Sequence, residues 1–372
     1  MMRVLSFGSA AGLVCILLLT ACGDDGDTLG FPVNCATVST GQNHTCAMGP
    51  YGNVWCWGNV PPGTQTSTPV HVTGLSDAAS ISAGGIHTCA LKMDGTAWCW
   101  GKNTFGNLGD GTALDKSTPV QVSDLSDLVV VSAGGTHTCA IETDGTSWCW
   151  GRNEEGQLGD GTQTDQHTPV AVSGLSDAAV LSAGSDHTCA VKTDGSVWCW
   201  GRNTSGQLGD DTTSSRLTPV QVVNLVDAET VSVGSSYTCA VKTDDTVWCW
   251  GDNTYGQLGD GTGTEQHTPV QVLGLSAWTV STGESSACAI KGDGSVWCWG
   301  DNELGQLGDG TNDDHATPVQ VSSESGLTIS CGRWHTCAVQ FGEVWCWGWN
   351  THGQLGDGTT SDRNTPVQVP PD

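Results

Sequence analysis

Four residue types recur in this chain at spacings that could carry chemistry. Cysteines come as Cys46/Cys56, Cys89/Cys99, Cys139/Cys149, Cys189/Cys199, Cys239/Cys249, Cys288/Cys298 and Cys337/Cys346, six pairs ten residues apart and the last nine apart. Thiols at fixed spacing either bind zinc or oxidise to disulfides. His44, His87, His137, His187 and His335 share one repeated position, with Tyr237 and Ala287 read as its counterparts in the other two units. A ring of imidazoles would bind a metal, but tyrosine and alanine are poor substitutes for a ligand, so a structural histidine is expected. Asp110, Asp160, Asp210, Asp260, Asp309 and Asp357 recur in Leu-Gly-Asp. Calcium needs several convergent oxygens; one constant acid per loop suits turn capping. No nucleophile–base pair and no phosphate loop stands out. The expectation is therefore no catalytic residue, no metal and no cofactor.

The elements that position these residues follow from the fourth type. Trp-Cys-Trp-Gly begins at Trp55, Trp98, Trp148, Trp198, Trp248, Trp297 and Trp345, at successive spacings of 43, 50, 50, 50, 49 and 48 residues. A period near 50 built from strand-like pieces means a repeat architecture. Read as a hairpin, Cys89 to Cys99 pairs Lys92 with Thr96 around the loop Met93-Asp94-Gly95, with glycine where a left-handed residue is needed. The two cysteines then lie opposite each other. The last unit loses one residue, in the turn Phe341-Gly342, and keeps the register. Zinc imposes no such register, so seven cross-strand disulfides are expected. Both tryptophans flanking each cysteine project from the opposite sheet face, toward a neighbouring unit. In the unit 178–225, strands A, B, C and D are expected at Ala179–Ala183, His187–Lys192, Ser196–Gly201 and Thr218–Val222. Four strands in each of seven units make an all-β, seven-bladed β-propeller with one cross-strand disulfide per blade. Cys35 and Cys331 remain; a bridge between them would fasten the last blade to the first, the alternative being two free thiols.

The phrases Gly-x-x-His-Thr-Cys-Ala, Trp-Cys-Trp-Gly-x-Asn-x-x-Gly-Gln-Leu-Gly-Asp-Gly and Thr-Pro-Val-x-Val resemble the regulator-of-chromosome-condensation repeat, from Cys35 to about Val369. The resemblance implies a seven-bladed propeller that binds proteins on one face. The paired cysteines depart from the family pattern and suit an oxidising compartment. Founding members of that family are exchange factors on a nuclear GTPase; fold alone does not transfer that role.

Residues 1–21 carry Arg3 and an apolar stretch from Ala10 to Leu19, the pattern of a secretory signal. Leu19-Thr20-Ala21-Cys22 resembles the bacterial lipobox, which implies cleavage before Cys22 and acylation of that cysteine. Residues 22–34 then form the lipid anchor and a polar tether, and residues 35–372 the propeller. Gly23 resembles outer-membrane rather than inner-membrane sorting. The expected location is thus the bacterial cell envelope, at the outer membrane or cell surface, with membrane contact through the lipid anchor only. Formal charge is −27, with 12 Lys and Arg that do not cluster. Nucleic acid, which needs a basic footprint, is excluded as a partner, and a soluble monomeric body is expected.

Specificity should lie where the repeats disagree. Strands alternate direction, so the A–B and C–D connections share one face. Variable positions there include Lys102, Phe105, Arg152, Glu155, Arg202, Tyr255, Leu304, Trp349 and His352, and the last unit adds Arg333 and Trp334. The first unit lacks the long C–D loop, having only Asn59-Val60-Pro61-Pro62-Gly63. A notch between the last and first blades, lined by Arg333, Trp334, Trp349 and His352, is the expected binding site, since Trp and Arg dominate hot spots. Another protein at the cell envelope is the expected partner. A carbohydrate or cell-wall module is the alternative, because exposed aromatics also stack on sugars. An enzyme with its site in the central channel is a third reading, with no supporting acids near one loop face.

Overall fold

Each cysteine pair faces across a hairpin, as in Cys46↔Cys56 and Cys89↔Cys99, and these hairpins form the middle of every sheet. The computed structural model describes residues 37–325 and 328–371. Blade 1 contains β1 (Thr37–Thr40), β2 (His44–Met48), β3 (Val54–Val60) and β4 (Thr64–His71). Blade 2 contains β5 (Ala78–Ala83), β6 (His87–Lys92), β7 (Ala97–Gly101) and β8 (Lys116–Gln121). Five more blades follow, giving seven antiparallel four-stranded sheets, each in simple sequential order. Blade 4 has strands Ala178–Ala183, His187–Lys192, Val197–Gly201 and Arg216–Gln221, within two residues of expectation at every boundary.

All seven expected bridges are present, one in each blade. They join Cys46 to Cys56, Cys89 to Cys99, Cys139 to Cys149 and Cys189 to Cys199 in blades 1 to 4. Cys239 to Cys249, Cys288 to Cys298 and Cys337 to Cys346 follow in blades 5 to 7. The first cysteine of each pair lies on the second strand of its blade and the second on the third. Cys149, Cys249 and Cys298 thus stand directly opposite Cys139, Cys239 and Cys288 in the strand register. Cα atoms are 4.0–4.1 Å apart across every bridge.

The core lies between blades rather than in a centre. In blade 4 the sulfurs of Cys189 and Cys199 join Val191, Val197 and Leu208 and pack against Ala240 and Trp250 of blade 5. Sulfur thus covers one sheet face and indole the other, because successive strand residues point to opposite sides. The last seam, Cys337, Cys346 and Leu355 against Ala47, Trp55 and Trp57, joins blade 7 to blade 1. The ring is therefore closed by the same contact that builds it.

Glycine is required where the innermost A–B turns meet around the axis. A Cβ on Gly41, Gly84, Gly134, Gly184, Gly234, Gly283 or Gly332 would collide with the carbonyl oxygen of the corresponding glycine in the next blade. These seven turns surround the upper mouth of the axial channel. The long C–D loops rise beside them, as Lys102 N–H bonding to Ile86 O and Trp349 N–H to Trp334 O demonstrate. The B–C hairpins and D–A turns occupy the lower end, where Leu128 N–H bonds to Gly95 O and Thr143 N–H to Asp127 O.

Cys331 ends the innermost strand of blade 7, level with Thr40 of β1, since Cys331↔Thr336 and Thr40↔Thr45 are equivalent pairs. It is buried and unbridged among the described residues, and burial pushes its thiol up to about 12. Its expected partner Cys35 lies outside the described residues, as do the signal peptide, Cys22 and the tether.

Candidate functional site

Most of the recurring residues are consumed by the seams. The bridged sulfurs are the first of these. Cys139 and Cys149 pack with Ile141 and Leu158 against Trp200. Cys239 and Cys249 pack with Leu258 against Trp299, and Cys288 and Cys298 with Leu307 against Trp347. Cys149, Cys249 and Cys298 are fully buried, as are their partners. Bridged and enclosed in this way, they stabilise the blades and stand apart from any surface site.

His87 Nε2 bonds to Thr138 Oγ1 of the next blade at 2.7 Å, and the same bond links His44 to Thr88, His137 to Thr188, His187 to Thr238 and His335 to Thr45. Thr138, Thr188, Thr238, Thr336 and Thr45 donate their own protons to a C–D loop carbonyl, for example Thr188 to Gln157 O at 3.0 Å. Where a histidine meets such a threonine, Nε2 must carry the imidazole proton. Burial lowers the pKa of His44 to about 4 and of His87, His137, His187 and His335 to about 3, so the rings are neutral. The histidines hold one blade to the next.

The residue opposite Gly300, where the other blades place His or Tyr237, is Ser286, not Ala287. Ala287 stands at the threonine position. The correction explains two exceptions at once: blade 6 offers no threonine hydroxyl to blade 5, and blade 5 presents Tyr237, whose hydroxyl reaches past Ala287 to Ser286 O at 2.6 Å.

The inner tryptophans are equally committed. Trp200 Nε1 donates to Gln157 O at 2.9 Å, and Trp57, Trp150, Trp250, Trp299 and Trp347 make the equivalent bond to the preceding blade. Trp100 faces blade 1, which has no long loop. The recurring aspartates cap turns: Asp110 Oδ1 accepts from Thr112 N at 3.0 Å and from Asn103 Nδ2 at 3.1 Å. Buried Asn103 holds the loop from inside, accepting from Leu108 N at 3.0 Å.

What remains free to act is the upper rim. The residue after each Trp-Cys-Trp-Gly runs Lys102, Arg152, Arg202, Asp252, Asp301 and Trp349 around blades 2 to 7. The cations are internally paired: Lys102 with Asp115 at 2.8 Å, Arg152 with Asp186 at 3.4 Å and Arg202 with Asp186 at 3.6 Å. Arg152 also lies over Phe105, 5.7 Å from its centroid, linking blades 2 and 3. Tyr255, on the blade 5 loop, is 40% exposed and belongs to neither group.

Blade 7 brings four expected residues together. Trp334 and Trp349 meet edge to face with centroids 5.0 Å apart, and Trp349 meets His352 the same way at 5.1 Å. The Arg333 guanidinium lies 3.9 Å from the Trp334 centroid and pairs with Glu284 of blade 6 at 2.9 Å. Burial raises the Glu284 carboxyl above its ordinary range, against the pull of Arg333. All four side chains of the cluster are half-buried, and the Glu284–Arg333 pair stands on the wall of an upper funnel that opens to solvent. The notch differs from expectation. Each long loop leans onto the outer strand of the next blade, as Gly156 does on Leu217 and Gly353 on Ser67. The blade 7 loop therefore covers β4, and the loop missing from blade 1 leaves β8 of blade 2 without such a cover. The gap lies one blade further round than the cluster, an offset that strand counting could not reveal.

A protein-family model for the RCC1-like domain matches residues 62–372, most of the chain. The chain belongs to the RCC1-like domain family. Among solved structures, this RCC1-like chain resembles human WBSCR16 with 23% identity and a TM-score of 0.75, covering 82% of this chain and 84% of that one. It resembles Prp20p of Saccharomyces cerevisiae, described with its binding to Gsp1p and histones, with 23% identity and a TM-score of 0.75 over 89% and 86% of the two chains. The CRINKLY WD40 ectodomain of the Arabidopsis thaliana receptor kinase ACR4 matches with 20% identity and a TM-score of 0.53, over 86% and 98%. At these identities the likeness is one of fold. No curated protein matches the sequence.

Proposed function

We propose that this RCC1-like propeller binds another protein through its upper face, with Trp334 and Trp349 as the anchor and Arg333 and His352 beside them. The observation that carries this reading is the blade 7 cluster. Two tryptophans, an arginine and a histidine stack on one another at the rim of the funnel, none is required by the repeat, and all keep part of their surface in solvent. Tryptophan and arginine supply most binding energy where they concentrate. Protein binding by Prp20p, a structural neighbour, supports the same reading. The role is binding rather than catalysis, and the chain acts alone, as a monomer.

We further propose that the chain works outside the cytoplasm, tied to the cell envelope by acyl chains on Cys22. Support comes from the leader sequence and from the seven disulfides, a bond that forms and persists in oxidising compartments. The test is capture by the intact, oxidised chain from envelope and secreted fractions, repeated with a Trp334→Ala/Trp349→Ala variant. One protein enriched by the parent and lost with the folded variant supports the proposal. Equal capture by both refutes the site, and enrichment of glycan fragments that survives protease treatment favours the carbohydrate reading instead.

A further inference from the structure

The lower end of the propeller has an irregularity that the upper-face reading does not use. In blades 2 to 6 the B–C hairpin tips carry Asp94, Asp144, Asp194, Asp244 and Asp293, and each accepts a bond from the backbone N–H two residues on. Blades 7 and 1 abandon this device. Tyr51 stands where Asp94 stands in blade 2, with φ 60° and 69% exposure. Phe341 opens the two-residue turn of blade 7 with φ 50°, followed by Gly342 at φ 85°, and is 82% exposed. Such turns favour Asn-Gly, and a bulky residue in the left-handed region is strained. Neither ring recovers that strain by burial.

The neighbouring tips continue the pattern. Met93 in blade 2 is 56% exposed, and Trp278, 62% exposed, lies beside Gly292 at the tip of blade 6. Four consecutive blades, 6, 7, 1 and 2, thus each present one large apolar side chain at the lower end. Val226, 60% exposed, lies outside this arc.

The chain itself indicates what the arc meets. Thr37, the first described residue, begins β1 at the lower end, inside the same sector. Fifteen residue steps separate it from Cys22, a reach of at most about 50 Å. We infer that the arc Trp278–Phe341–Tyr51–Met93 rests on the interfacial layer of the bilayer that holds Cys22, leaving the upper rim pointing away from the membrane. This inference rests on the anchoring proposed above. Aromatic side chains settle in that layer. The acidic tips of blades 2 to 6, Asp94 and Asp293 among them within the arc, oppose an anionic surface, so the lipid favoured is zwitterionic.

The test reconstitutes the full chain in phosphatidylcholine vesicles carrying a photoactivatable lipid and maps labelled peptides by mass spectrometry. Intact mass first reports whether Cys22 is acylated, which decides the anchoring independently. A Cys22→Ser chain is labelled in parallel. Label is expected on peptides with Tyr51, Trp278 and Phe341, at least tenfold above those with Trp334 and Trp349. A Tyr51→Asp/Phe341→Asn variant gives blade 1 the tip aspartate of blades 2 to 6 and blade 7 the favoured Asn-Gly turn, so it should fold, and it is expected to lose at least fivefold of that label. Phosphatidylglycerol in the vesicles is expected to reduce it. Absent acylation with lower-face labelling of the Cys22→Ser chain sinks the anchor alone. Label on the upper rim, label spread evenly, or no lipid label on the lower tips overturns the inference.

Discussion

Acidification from pH 7 to pH 5 should destabilise this propeller far more than a typical domain. In the unfolded chain each imidazole takes up a proton near pH 6.5, whereas the seam histidines stay neutral down to about 4 for His44 and about 3 for His87, His137, His187 and His335. Unfolding therefore binds protons throughout that window. The folded pKa is depressed, so stability is fully present above pH 6.5 and drains as pH falls toward the folded values. Each histidine contributes about 1.4 kcal/mol per pH unit inside the window. At pH 5 that is about 2 kcal/mol each, or on the order of 10 kcal/mol for five, comparable to the whole stability of an ordinary domain. Aspartates such as Asp110 and Asp210, held below their ordinary range by hydrogen bonds that outweigh burial, titrate lower still and do not confuse the interval from 6.5 to 5. Calorimetry of the oxidised protein across this range should give a steep fall in Tm, and buffers of differing ionisation enthalpy should report an uptake near five protons at pH 5. The His137→Tyr/Thr188→Ala variant copies the joint between blades 5 and 6 and should lower that number by one. A flat Tm between pH 7 and 5, or an uptake near zero, would refute the neutral-imidazole ring.

Other outcomes follow from the same seams. Gly134→Ala places a methyl against Gly184 O and the His137 ring and should cost about 2–4 kcal/mol by denaturant titration, whereas Gly263→Ala, whose nearest atom is 3.7 Å away, should be near neutral. Reducing the seven bridges, each closing a loop of nine or ten residues, should remove about 2–3 kcal/mol per bridge in the chain-entropy view and lower Tm by tens of degrees in a scan with and without reductant. Trp200→Phe keeps the packing but strips Gln157 O of one donor, which should cost about 1–2 kcal/mol.

The sequence was most readable where one spacing forces one geometry. Ten residues between cysteines around a three-residue turn leave a single register, and the one-residue deletion in blade 7 kept it. The alternation Trp-Cys-Trp likewise separates sulfur from indole on any strand. Cross-blade chemistry was not readable. Pairing of histidine with threonine joins residues about fifty positions apart, so the joint substitution of Tyr237 and Ala287 looked like two unrelated exceptions, and Ser286 escaped notice. The blade 7 cluster was legible because Arg333, Trp334, Trp349 and His352 broke a strict pattern. The gap over β8 was not, since loop lean depends on which neighbour a loop covers. Phe341 stands in the last unit's turn on the sequence alone, but its exposure, that of Tyr51 and the left-handed backbone of both appear only in three dimensions.

The blade 7 cluster is proposed as the anchor of a protein interface. It is tested most directly by the Kd of the captured partner for the parent chain, for Trp334→Ala and Trp349→Ala separately, and for Tyr255→Ala two blades away on the rim, each at unchanged Tm. At least about a thirtyfold loss is expected for each tryptophan, the roughly 2 kcal/mol of a hot spot, and less than about threefold for Tyr255→Ala. Equal affinities for all four folded proteins would contradict it.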